Sequence, residues 1–350
     1  MALRDIPASP RRWAVGVLLA GLIALLAAYW MGGDRGVAQA MGLPSPGLVT
    51  TWGLPVVRLL HDMCAIGTTG TLLAGLLLDR PVGRAAQRWA LGWAATAAVT
   101  VLLTLSDFLG EPVPDALRSG ALPTFLLHIP QGQAFLAVYG LALAIVLGTF
   151  IPAVAVRQGL LLALAIAATL PPAYAGHSAS AADHQLAIAS LMVHVAGVTL
   201  WVGGVFGLLV FVRAAGEPER AVRRFSTLAL CCYAAVGLSG ALNAWIRLGA
   251  PDQLWRSTYG LLVLAKVAAL VALAWFGNRH RRSTIAALGR TRAPFLRLAA
   301  AELAVMAAAL GLAVALSRTP PPSGAHAAGQ VCAPVFSCTK WRAEPAAETI

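Results

Sequence analysis

The chain reads as an all-α, polytopic transmembrane helix bundle of about nine spans, and three observations lead there. Of 350 residues, 59% are apolar and 11% are Asp, Glu, Lys or Arg, against about 25% charged in an ordinary soluble domain. The apolar residues gather into runs near the roughly 20 residues that cross a bilayer as a helix. None of these runs shows the alternation of about ten residues that marks a barrel strand.

The first run, Trp13–Met31, follows Arg11-Arg12. With Ala38-Gln39-Ala40 downstream it has the outline of a signal peptide, but its length exceeds a typical leader core and favours a retained helix. The second, Gly53–Leu78, carries Arg58, His61, Asp62 and Cys64. The third is Trp89–Leu109, followed by an Asp107–Pro130 segment whose four prolines read as turn signals. Then come Gln131–Phe150 and Gly159–Tyr174, a connection Pro171–Gln185 with His177 and His184, and Leu186–Val212. Ser226–Ile246, Thr258–Gly277 and Phe295–Leu316 complete the set. From these the chain divides into an N-terminal membrane region (1–185), a four-helix membrane domain (186–316) and an extracytoplasmic tail (317–350) too rich in Pro and Gly to span again.

The formal charge of +12 would suit nucleic acid if it formed one basic face, but 17 of the 26 Lys and Arg fall in alternate loops. Arg80, Arg84 and Arg88 are one such group; Arg220, Arg223 and Arg224 another; Arg279, Arg281 and Arg282 a third. Cationic loops stay cytoplasmic, so the N-terminus is expected inside and the C-terminus outside, and nucleic acid is not needed. Cys64, Cys231 and Cys232 lie in spans, whereas Cys332 and Cys338 lie in the tail, where a disulfide loop is the default and copper capture with His326 the alternative. No phosphate loop, zincin motif or Ser-His-Asp pattern is present, and an enzyme is not expected.

Chemistry must lie in the polar groups that lipid would otherwise exclude. His61, His194 and Lys266 each stand eight residues from the same end of their runs, about 12 Å deep, so three helices offer an imidazole or amine at one level. Cys64, three residues after His61, shares its face, and Met192 is a nearby thioether, although two residues from His194 turns it away in a regular helix. Imidazole, thiolate and thioether are donors for copper(I). Arg58 and Asp62, four apart, read as an intrahelical ion pair. Lys266 is a candidate partner for a carboxylate such as Asp62, and Glu302 for a neighbouring Arg. Cys232, Ser239, Asn243 and Arg247 form a polar stripe along one helix. His61, Gly70 and Arg80 recur as His194, Gly203 and Arg213, all offset by 133 residues, which suggests a same-orientation duplication.

The stretch His194-Val195-Ala196-Gly197-Val198-Thr199-Leu200-Trp201-Val202-Gly203-Gly204, then Arg223-Arg224-Phe225-Ser226, Ser239-Gly240-Ala241-Leu242-Asn243, Thr258-Tyr259-Gly260 with Lys266, and Asn278-Arg279, resembles the copper resistance protein D family in order and spacing. The resemblance covers residues 186–316. It implies a bacterial inner-membrane protein that moves copper, generally inward, with a periplasmic copper-binding (CopC-like) partner. His194, Trp201, Asn243 and Lys266 are its motif positions. Some members carry a fused periplasmic copper-binding domain and a Met-rich segment; this sequence has neither.

The expectation is therefore copper import, with His61 and His194 meeting at one site, helped by Cys64 or Met192, and an onward path past Asn243 with Glu302 as an exit-side group. Two alternatives stay open: a b-type cytochrome with haem held between His61 and His194, and a factor that hands copper to an oxidase.

Overall fold

A computed structural model describes residues 10–32, 45–151, 155–175, 184–214, 217–284 and 291–322. Ala38–Ala40, His177 and the tail with His326, Cys332 and Cys338 lie outside them. Nine long helices appear among the described residues: α1 (Pro10–Gly32), α2 (Gly47–Leu77), α3 (Gly83–Leu109), α6 (Pro130–Gly148), α7 (Ala155–Ala168), α9 (His184–Phe211), α10 (Pro218–Leu248), α12 (Thr258–Arg279) and α13 (Ala293–Ser317). Short helices α4 (Val113–Arg118), α5 (Leu122–His128), α8 (Pro171–Tyr174) and α11 (Gln253–Arg256) join them. Eight segments are long and apolar enough to cross a membrane, and α2, which carries Arg58, His61 and Asp62, is the long helix outside that set.

The Asp107–Pro130 segment departs from expectation, because its prolines begin helices instead of interrupting them. Pro sits in the first turn of α4, α5 and α6, where no intrahelical N–H bond is owed and the fixed φ suits a helix start. Pro55 lies inside α2 and leaves the Thr51 carbonyl without its i+4 donor. The Tyr29 hydroxyl of α1 donates to that carbonyl at 3.1 Å.

The central seam is α2 against α9. A Cβ on Gly70 would stand 2.1 Å from the Gly203 carbonyl oxygen, and one on Gly207 would meet Gly70 and Ala74. Only glycine permits this backbone approach. Residues 66 and 70 meet 203, and 70 and 74 meet 207, so the two helices run parallel. The outer helices repeat the device: Gly21 of α1 lies against Ala307, and Gly311 of α13 against Gly21 and Leu25, again parallel.

Two cores flank the seam. Trp93, Val138, Ile145 and Ala165 pack α3, α6 and α7 onto Leu72 of α2. On the other side Trp201, Leu208, Phe225, Leu273, Phe295 and Met306 join α9, α10, α12 and α13. At the end of the bundle where α2 starts, Arg318 makes two hydrogen bonds to Asp107, 2.9 and 3.1 Å, and Thr50 meets Ser106 at 2.7 Å.

Candidate metal-binding site

The two histidines stand at one level. Each lies nine residues before its seam glycine on parallel helices, about 13.5 Å along the axis. Their helices start earlier than the apolar runs suggest, at Gly47 and His184, so the seam, not the helix ends, is the sound reference.

Their bonds nevertheless divide them between different helix pairs. His61 is buried on the face of α2 that meets α3, where Trp93 Nε1 donates to its Nε2 at 3.1 Å. Trp93 and Phe135 close on the ring edge to face, with centroids 6.1 and 5.5 Å away. Because the Nε2 lone pair accepts this bond, the neutral ring carries its proton on Nδ1, and that buried atom has no partner. Cys64 shares this face, with Sγ 3.1 Å from where a Cβ on Gly92 of α3 would stand.

His194 turns to α10. Its Nδ1 lies 3.0 Å from Ser239 Oγ. That hydroxyl also lies 2.5 Å from the Ala235 carbonyl and 3.3 Å from that of Val236, and the ring has a backbone hydrogen bond at Val236; with the hydroxyl proton on a carbonyl, Nδ1–H donates and the Nε2 lone pair remains. An imidazole oriented through Nδ1–H with Nε2 open is the usual arrangement of a metal-ligating histidine. Gly240 leaves room for the ring, since a Cβ there would stand 3.4 Å from Cε1. Met192, half-buried, lies two residues before His194 and off its face.

The expected meeting of His61 and His194 is thus corrected: the hydrogen bonds engage one ring with α3 and the other with α10. The axial-haem alternative is not supported, because the His61 nitrogen that would hold iron is occupied by Trp93.

Asn243 is a clasp between helices. Its Nδ2 donates to Ser190 Oγ and to the Ser239 carbonyl, both at 2.9 Å, and Ser190 donates to the same carbonyl. Lys266, half-buried, lies within electrostatic range of Arg247 and His194, while Asp62 has Arg58 as its charged neighbour, so the suggested Lys266–Asp62 pair is replaced. Arg58 also faces Asp107 and Arg318. Glu302 pairs with His280 Nε2 at 3.2 Å, not with the expected arginine. Trp201 is buried, edge to face with Tyr233 at 5.5 Å, and lines a cavity.

Sequence reasoning missed Trp93, Ser190, His280, Asp107 and Arg318 as partners. For His280 the sequence held a signal, the buried carboxylate of Glu302 that had to be matched. Among the described residues no group of three or more His, Cys, Asp or Glu converges as a closed metal cage.

Fold and site together define a multi-pass α-helical membrane protein with two histidines, each hydrogen-bonded to a neighbouring helix, inside the bundle. Residues 219–316 match the copper resistance protein D family, and residues 49–185 match the copper resistance protein D-like N-terminal domain. The chain belongs to the copper resistance protein D family. It is also similar to the copper transport protein CutJ of Bacillus subtilis (strain 168), 28% identical over 159 residues. That match takes in 44% of this chain and 29% of the relative, so the chain spans less than a third of the relative's length. No solved structure matches.

Proposed function

We propose that this protein carries copper inward across a bacterial cytoplasmic membrane, taking the ion at His194 Nε2. The observation that carries the reading is the Ser239-oriented imidazole with its second nitrogen open, inside a chain of the copper resistance protein D family. Lys266 favours copper(I) over copper(II) there, because repulsion from a fixed positive charge is half as large for a monovalent ion at the same distance. His61 and Cys64 form a second donor pair, open only when the Trp93 N–H withdraws. Met192 would need a local turn of α9 to contribute. A periplasmic copper-binding protein delivers the ion, and Trp201, Asn243 and Glu302 lie along the remaining way.

His194→Ala should abolish copper accumulation by cells while the protein still reaches the membrane. His61→Ala should reduce it less. Uptake unchanged in His194→Ala would remove this site. Purified protein that binds copper but gives no flux into liposomes would favour an assembly factor instead.

A further inference from the structure

A cavity of about 280 Å³ lies among α9, α10, α12 and α13. Trp201 and Val205 of α9 line it, on the helical face that also bears His194 seven residues before Trp201. Most of its wall is apolar, but His280 and Glu302 border it together with Asn278 and Ser226.

We propose that the His280–Glu302 pair is a second cation site, distinct from His194, which takes a divalent borderline metal such as copper(II) or zinc. Both residues are buried, at 9% and 5% exposure. His280 Nε2 and Glu302 Oε2 stand 3.2 Å apart. Two donors each about 2.0–2.1 Å from one ion at a tetrahedral angle are separated by about 3.3 Å, so the pair can admit a metal without moving apart. Imidazole with carboxylate suits such ions better than it suits copper(I), and the carboxylate offsets the charge of a divalent ion. The metal-bound ring is the neutral tautomer protonated on Nδ1, and the proton that lies between Nε2 and Oε2 in the empty pair is displaced as the Nε2 lone pair forms the metal bond. The other titratable groups on the cavity wall are Tyr233 and Arg281, and Arg281 is bonded to Ser226. Two protein ligands on a cavity wall that also bears Asn278 make a site of passage that releases its ion.

The inference goes beyond copper capture at His194 and does not require it. Purified protein equilibrated with copper(II) is examined by metal count per chain and electron paramagnetic resonance. Wild type and His194→Ala should both show a copper(II) signal split by one imidazole nitrogen. Glu302→Gln and His280→Gln should each lose that one equivalent. Absence of the signal from wild type, or its full retention in both variants, overturns the site. The wild-type spectrum decides even if a variant fails to fold. Loss of the copper(II) signal in His194→Ala with retention in the other two variants would assign it to the first site and overturn the second.

Discussion

Ser239 shows how a residue with no charge and no metal affinity can govern a ligand. Its hydroxyl proton is committed to the Ala235 carbonyl, which leaves the oxygen to hold the His194 N–H. Ser239→Ala should weaken copper(I) affinity about 10- to 100-fold while His194 remains, the usual cost of losing the group that orients a metal-bound imidazole. Competition with a chromophoric copper(I) chelator reads this directly. Trp93 acts in the opposite sense on His61, by occupying the nitrogen a metal would need. Trp93→Phe should cost about 1–3 kcal/mol, the penalty of an unsatisfied buried acceptor, seen in thermal unfolding in detergent. It should also raise the copper held per chain; an unchanged copper content would make His61 purely structural. The sequence put His61 and His194 at one level, and the structure agrees when depth is measured from the seam. It could not tell which way each ring faces, since that depends on Trp93 and Ser239, far off in the chain.

Among the helices, the α2–α9 seam is the most constrained contact. Gly70→Ala would drive a methyl into the Gly203 backbone, which has no rotamer with which to yield. Overpacking of this kind costs about 1–3 kcal/mol or more. Gly70→Ala and Gly203→Ala should both lower the unfolding temperature in detergent, whereas Gly140→Ala, where nothing lies within 4 Å of the added carbon, should not lower it. The long helices were legible because runs of apolar residues need only a composition rule. The Asp107–Pro130 segment was not, since proline marks a turn and a helix start alike, and only the surrounding packing decides between them. Parallel packing of α2 and α9 through equivalent glycines agrees with the 133-residue offset between His61 and His194.

For the molecule as a whole, the distribution of arginine predicts its orientation. Single cysteines placed by Ser119→Cys and Arg220→Cys, in a background with the native cysteines replaced, should divide under a membrane-impermeant thiol reagent. The first should react in intact spheroplasts and the second only after permeabilisation; the reverse pattern would invert the topology. The pairing of α1 with α13 carries a consequence for biogenesis. Helices far apart in the chain lie side by side through Gly21 and Gly311, so the earlier one must wait in lipid, its small-residue face bare, until the ribosome has delivered nearly three hundred further residues. A chaperone or translocon that shelters that face during synthesis would then be as necessary to a working bundle as any ligand.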